Sequence, residues 1–172
     1  MKKIPVRRVS ACAVLIALEV VLARFASFQV LGLRFGLSFV PMALGAMLLG
    51  PWYTAVCYAV ADTVGALLFP AGAYFPGFSL TCALIGIVYG LFWRGKDKLR
   101  LWPDILAPTL LVTVVLGLGL NSAWMAMLYS SRGYLGWVLF RLPQEAGLFI
   151  LHLLLLPPLC KLAATLRKEF PL

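Results

Sequence analysis

Two arginines and two amide side chains lie in apolar surroundings, where ligand binding is the chemistry they favour. Arg24 is near the end of the first long apolar run, and Asn121 lies well inside a later one. Arg141 and Gln144 stand at the start of the last run. A guanidinium binds a carboxylate or phosphate through two parallel hydrogen bonds, and an amide donates and accepts in one plane. These residues are therefore candidates for binding a planar ligand that carries acidic groups.

Aromatic side chains accompany the polar candidates. The segment 67–80 interrupts the apolar sequence with two prolines and holds four aromatic residues, Phe69, Tyr74, Phe75 and Phe78. Trp124 follows Asn121 by three residues, so the two share one face of a helix. Irregular backbone near a membrane is tolerated where protein or water covers it. We therefore expect the segment to cover a pocket whose aromatic faces stack on a flat nitrogen heterocycle, a class that includes flavins, thiamine and folates.

Catalytic and metal-binding patterns are not found in the sequence. The chain has no Walker, His-Glu-x-x-His or Gly-x-Ser-x-Gly motif, and its single histidine has no evident nucleophile partner. The four cysteines stand singly, without metal-ligand spacing. We expect no catalytic residue, no metal and no resident cofactor, so that any ATP-driven step requires partner subunits.

Three further ionisable residues, Glu19, Asp62 and His152, fall nearer the middle of the predicted spans. They fit a proton relay, which suggests an autonomous small transporter, and they equally fit structural hydrogen bonds inside a helical bundle. Ala13 and Ala17 form a small-residue stripe that lets another helix approach closely. That stripe either packs the first helix internally or contacts a partner protein.

The composition indicates the elements that must position these residues. The chain has 172 residues, of which 63% are hydrophobic and 12% charged, far from the balance of a soluble domain. A spanning helix needs roughly 20 mostly apolar residues. We predict an all-α membrane protein, a single domain over 1–172, with six helices at about 9–28, 35–49, 52–69, 79–93, 104–129 and 142–160. Gly50 and Pro51 predict a tight turn, and Pro157 with Pro158 predicts a break or kink in the last helix.

The basic residues predict the orientation in the membrane. Eleven of the 15 lysines and arginines fall in the N-terminal segment, the 94–100 loop and the C-terminal tail. With six spans these regions lie on one side, and the positive-inside rule places both termini in the cytoplasm. The net charge of +9 is therefore explained by topology, and we expect no nucleic-acid partner.

Several segments resemble the substrate-binding S components of energy-coupling factor (ECF) vitamin transporters, and most of all the folate-specific ones. They are VLARFASFQV (21–30), LRFGLSFVPMALGAMLLGP (33–51), ADTVGALLFPAGAYFPGFSLTCALIGIVYGLF (61–92), LNSAWMAMLY (120–129) and FRLPQE (140–145). The resemblance implies a subunit of the bacterial plasma membrane that captures folate from outside. It also implies a coupling subunit, EcfT, and two cytoplasmic ATPases as partners, with Ala13 and Ala17 contacting EcfT.

The resemblance also implies roles for the candidates. Arg24 and Arg141 are expected to bind carboxylates or the pterin oxygen, and Asn121 and Gln144 to hydrogen-bond the pterin. The aromatic residues are expected to stack on the ligand or close the pocket; they are Phe69, Tyr74, Phe75, Phe78 and Trp124. Alternatives are another vitamin or a queuosine precursor as ligand, and an autonomous proton-coupled transporter.

Overall fold

A computed structural model describes residues 6–30, 33–70, 74–129 and 131–169. Helices dominate, as predicted, and a two-stranded β-hairpin joins the first two of them. The elements in chain order are α1 (Val6–Phe25), β1 (Ser27–Val30), β2 (Leu33–Gly36), α2 (Phe39–Leu48), α3 (Pro51–Leu68), α4 (Pro76–Trp93), α5 (Leu101–Leu128) and α6 (Gly133–Glu169).

The hairpin replaces helix ends that the sequence analysis placed at 28 and 35. Strands β1 and β2 pair antiparallel, with Ser27 opposite Gly36 and Val30 opposite Leu33. The Ser27 hydroxyl donates to the carbonyl of Ala23 at 2.7 Å, which satisfies an acceptor in the last turn of α1. A Cβ on Gly36 would lie 2.8 Å from the Ser27 Cβ, so glycine permits this close pairing.

Helix α6 is longer than predicted and remains helical at its prolines. It begins at Gly133 instead of about 142, and it contains Pro143, Pro157 and Pro158 in its interior. The helix is therefore not broken at 157–158, while the predicted alternative of a kink there stays a prediction. Buried side chains lie on both sides of the proline pair, among them Leu156 and Cys160, and their packing against the core holds the two parts in one helix. The expected basic tail forms the final turns of the helix.

Helix α5 changes its hydrogen-bonding pattern along its length. It is π-helical over Leu101–Leu106 and Val112–Leu120, and α-helical over Ala107–Leu111 and Asn121–Leu128. Short π-helical stretches occur often at functional sites. The second of them ends at Leu120, directly before Asn121, one of the predicted ligand-binding residues.

The core forms where α2 is enclosed by its neighbours. Eight residues of this short helix are buried, including Met42 and Met47. Gly50 has a φ of 86° and precedes Pro51 at the start of α3, as the Gly-Pro pair predicted. Beyond this turn, α3 and α4 pack tightly. A Cβ on Gly86 would lie 2.9 Å from backbone atoms of Ala55, so only glycine fits without a shift.

Within the described part of the chain, three helices are long and apolar enough to cross a membrane. They are Pro76–Trp93, Leu101–Leu128 and Gly133–Glu169. Helix α1 is long enough, but its arginines and Glu19 lower its hydropathy, and α2 has only 10 residues. The helical membrane-protein class is supported by this pattern, while the six crossings stay a prediction.

Candidate functional site

A cavity lies between α1, α2, α3, α4, α5 and α6, and it extends to Arg24 and Ser27 at the end of α1 that adjoins the hairpin. It has two adjoining lobes. The first lobe has a volume of about 210 Å³ and is lined by Arg24, Glu19 and Gly65, among others. The second lobe has about 290 Å³ and is lined by Asn121, Arg141 and Phe78, among others. Ligand pockets in proteins usually measure ~300–1,000 Å³, so the combined space suits a small organic ligand.

Residues shared by the two lobes mark their junction. Gln144 from α6 and Asp62 from α3 line both lobes. The structure therefore brings together four of the predicted ligand-binding residues with polar side chains, namely Arg24, Asn121, Arg141 and Gln144. These residues are far apart in sequence, and the crossing of α1, α5 and α6 places them at one level.

Arg24 lies against a glycine on α3. A Cβ on Gly65 would lie 3.2 Å from the Arg24 Nε, so the absence of a side chain there provides space for the guanidinium. The Nε of Arg24 is buried and has no hydrogen-bond partner among the described residues. A donor in this position favours a ligand that supplies an acceptor.

Arg141 is held by a partner that the sequence analysis did not name. Its Nη2 donates to Glu145 Oε1 at 2.7 Å, one turn along α6. Glu145 is buried, and its carboxylate lies against Gly117, where a Cβ would overlap the carboxylate atoms. The signal was present in the FRLPQE segment, because an arginine and a glutamate four residues apart share a helix face.

Two more polar atoms near the second lobe lack a partner within the described part of the chain. They are the Nε of Arg141 and the Oδ1 of Asn121. Buried polar groups are usually hydrogen-bonded, and an unsatisfied one costs about 1–3 kcal/mol. These unpartnered donors and this acceptor all belong to side chains that line the cavity. Such an arrangement is expected of a ligand-binding site.

The predicted aromatic residues divide between the cavity wall and the layer behind it. Phe78 lines the second lobe. Phe75 contacts Phe78 and Trp124, with ring centroids 6.2 and 5.5 Å apart. The Trp124 indole donates to the Thr81 hydroxyl at 3.0 Å, and Thr81 lines the second lobe. Phe75 and Trp124 therefore support the wall from behind.

Two aromatic candidates lie farther from the cavity. Phe69 is 43% exposed and packs edge-on against Phe25 at 5.5 Å. Tyr74 is 41% exposed, and its hydroxyl lies 3.3 Å from the Ser79 Oγ. The central residues of the expected pocket cover, 71–73, lie outside the described residues. Ligand contacts by Phe69 and Tyr74 stay a prediction.

The structure also places the ionisable residues whose role the sequence left open. Glu19 lines the first lobe, and His152 lines the second. The His152 ring packs against Phe39 at 4.2 Å, and its Nδ1 lies 3.5 Å from the Tyr89 hydroxyl. These aromatic residues form part of the second lobe, and no spacing in the sequence connects them.

No metal site is visible in the parts of the chain that are described. No group of three or more histidine, cysteine or acidic side chains lies close enough to hold an ion there. The four cysteines are free. The polar and aromatic side chains that line the cavity offer hydrogen bonding, ion pairing and stacking.

Ala13 and Ala17 lie on the outer surface of α1. Both are exposed, and Val14 and Leu18 beside them are exposed as well. The stripe is therefore available to another helix and does not pack inside the bundle. Contact with a partner at this face stays a prediction.

Comparison with known proteins connects this geometry to a family. A family model described as "ECF transporter, substrate-specific component" matches residues 7–160. The folate transporter FolT of Clostridium novyi is 37% identical over 142 residues, which are 81% of this chain and 80% of the relative. The folate transporter FolT of Leuconostoc mesenteroides is 34% identical over 128 residues, covering 74% of this chain and 68% of the relative.

A solved structure agrees with the sequence comparisons. A crystal structure of FolT bound with folic acid superposes with a TM-score of 0.77 at 34% identity, covering 86% of this chain and 89% of that one. From the family model, the relatives and the shared fold together, the chain belongs to the family of substrate-specific (S) components of ECF transporters.

Proposed function

We propose that this chain is a high-affinity folate-binding S component. The observation that carries the proposal is the set of unpartnered polar atoms on Arg24, Asn121 and Arg141, all on side chains that line one cavity. The relatives named FolT and the FolT structure with folic acid indicate which planar, acidic ligand fills such a cavity in this family.

The side chains suit the two halves of a folate. Arg24 and Arg141 provide donors for carboxylates or for the pterin oxygen, while Asn121 and Gln144 donate to and accept from ring atoms. Phe78 offers a face for stacking, and Phe75 and Trp124 fix its position. Because these side chains are half-buried and contact their neighbours, less conformational entropy is lost when the ligand binds than with fully exposed side chains.

The transport step requires other subunits. The chain carries no nucleotide-binding motif, and membership of the family implies a transmembrane coupling subunit, EcfT, with two cytoplasmic ATPases. The exposed Ala13–Ala17 face of α1 is the surface we assign to EcfT, since small side chains allow close helix contact. In this proposal the protein crosses the bacterial plasma membrane six times, with both termini in the cytoplasm and the cavity open to the outside.

Calorimetry on the detergent-purified chain tests the proposal. We expect folic acid to bind tightly with one site and without ATP. Arg24→Ala should weaken binding roughly ten- to a hundredfold, because a charge-assisted hydrogen bond is worth about 1.5–3 kcal/mol. Arg7→Ala is the matched control, since Arg7 is exposed near the opposite end of α1 and should leave affinity unchanged.

Two outcomes would contradict parts of the proposal. If folic acid gives no heat while riboflavin or thiamine binds, the family assignment stands and the folate assignment fails. If cells lacking the coupling subunit and the ATPases still take up folate, the chain is an autonomous transporter. Glu19, Asp62 and His152 in the cavity lining would then be the proton-carrying candidates.

A further inference from the structure

Asp62 is a carboxylate at the junction of the two lobes, and no cationic side chain among the described residues pairs with it. It lines both lobes from the middle of α3. None of the ion pairs among the described residues includes it, whereas Glu145 in the second lobe is paired with Arg141. An ionised carboxylate in an enclosed site needs donors to offset its lost hydration. The cavity therefore contains a carboxylate whose hydrogen-bond acceptor sites are only partly occupied by donors from the described side chains.

A chain of hydroxyl groups fixes the orientation of this carboxylate. Ser79 Oγ donates to Asp62 Oδ2 at 2.7 Å. Thr63 Oγ1 lies 2.9 Å from the carbonyl of Ala59 and 3.1 Å from Ser79 Oγ, and its hydroxyl can donate to either. The Tyr74 hydroxyl lies 3.3 Å from Ser79 Oγ and 3.4 Å from Thr63 Oγ1. Thr63 and Tyr74 are thus both within hydrogen-bonding distance of Ser79, which donates to Asp62, and bonds in such a network polarise one another.

The same chain leaves acceptor capacity on the cavity side. A carboxylate has about four lone-pair sites, and Ser79 occupies one of them. No other described side chain is hydrogen-bonded to Asp62. Two parallel N–H donors on a planar ligand edge fit the remaining sites, in the way that a guanidinium fits a carboxylate.

Arg24 lies near Asp62 and provides hydrogen-bond donors, whereas Asp62 provides acceptors. Its guanidinium lies against Gly65, which is three residues from Asp62 and therefore on the same face of α3. The wall of the first lobe thus offers an acceptor next to a donor. The pyrimidine edge of a pterin presents the complement, an exocyclic amino group, a ring N–H and an oxo group in a row.

We propose that Asp62 is a specificity-determining residue that binds the amino and ring N–H groups of the pterin, with Ser79 as its positioning residue and Arg24 on the pterin oxygen. This inference rests on the proposed function, and it goes further by setting the orientation of the ligand. The acidic tail then points away from Asp62, because like charges repel.

A pair of ligands tests the inference. The probes are folic acid and an analogue in which a methyl group replaces the exocyclic amino group. The wild-type chain should prefer folic acid roughly ten- to a hundredfold, the range expected for hydrogen bonds to a charged acceptor. In Asp62→Asn the preference should fall below about fivefold, because the amide offers a single neutral acceptor. Asp97→Asn, in the 94–100 loop, should keep the full preference.

Each outcome decides between the two proposals. Wild-type protein that binds neither compound contradicts the folate assignment and this inference with it. Wild-type protein that binds both compounds equally, or Asp62→Asn with an unchanged preference, overturns the inference alone. If Asp62→Asn does not fold, Ser79→Ala decides instead. Its preference should fall severalfold while overall folding is kept, and a full preference in that variant overturns the inference.

Discussion

At the residue scale, the Arg141–Glu145 pair determines how the second lobe is built. Both side chains are largely buried, with 14% and 9% of their surfaces exposed. Taking two charges out of water is costly, and a buried pair is often no more stabilising than a well-packed apolar pair. We therefore infer that Glu145 serves to position Arg141 for a ligand and that the pair adds little to stability.

Removing one partner of this pair should be far more damaging than removing both. We expect Glu145→Ala to destabilise the ligand-free protein by about 3 kcal/mol, because it leaves the Arg141 guanidinium buried and unpaired. The double variant Arg141→Ala/Glu145→Ala should recover part of that loss. Thermal unfolding in detergent measures both. Equal melting temperatures for the single variant and the wild type would show that the pair is solvated and does not act as described.

The sequence could identify four polar side chains that line the cavity, and their contact with a ligand stays a prediction. Arg24, Asn121, Arg141 and Gln144 stand out because polar groups are rare and costly within apolar helices. The roles of Asp62 and Glu145 needed the structure, since burial and pairing depend on which helix faces meet. Phe75 and Trp124 show the same limit, because the aromatic pattern cannot distinguish a cavity wall from the layer that supports it.

At the element scale, the crossing of α3 and α4 depends on glycine. Gly86 brings the α4 backbone against Ala55, and Gly90 brings it against Pro51, where an added Cβ would overlap backbone atoms. Backbone atoms cannot move aside cheaply, unlike the end of a flexible side chain. This contact fixes the positions of Asp62 on α3 and of Phe78 and Thr81 on α4.

A single methyl group tests that contact. Gly86→Ala should destabilise the protein by about 1–3 kcal/mol, because overpacking forces the two helices apart. Gly119→Ala in α5 is the matched control, since its nearest heavy atom lies at 3.4 Å and alanine favours a helix. Melting temperatures of the two variants provide the comparison. Equal shifts in both would show that close approach at Gly86 is not what holds α3 to α4.

The elements also show where sequence patterns stop being informative. The Gly50–Pro51 turn was predictable, because a positive φ and a proline at a helix start are local preferences. The hairpin at Ser27–Val30 and Leu33–Gly36 was not, since its strands lie between two apolar runs and look like helix ends. The Pro157–Pro158 pair predicted a break or a kink, and the helix continues through it because residues on both sides pack against the core.

At the scale of the whole molecule, the basic residues gather at one end and the cavity lies toward the other. Arg167 near the end of α6 donates to Asp97 at 2.8 Å and to the carbonyl of Met47 at 3.0 Å. The guanidinium of Arg8 in α1 lies over the ring of Tyr53 at the start of α3. The N-terminal turns, the 94–100 loop and the end of α6 therefore share one end, as the charge distribution predicts.

This shared end should face the cytoplasm, because lysine and arginine are enriched in cytoplasmic loops. The prediction is tested in intact cells with single cysteines placed in a variant whose four native cysteines are replaced by alanine. Ser131→Cys, in the exposed connection between α5 and α6, should react with a membrane-impermeant maleimide from outside. Lys98→Cys, in the 94–100 loop, should react only after the cells are permeabilised.

The two positions control for each other, since both are exposed and both lie between helices. If Lys98→Cys reacts in intact cells and Ser131→Cys does not, the orientation is reversed and the cavity opens to the cytoplasm. Capture of a ligand from outside is then impossible in this arrangement. If both react, the two connections are not separated by a membrane and the predicted crossing of α5, which lies between them, is wrong. Only the expected pattern places the cavity on the outer side of the membrane, where an importer binds its substrate.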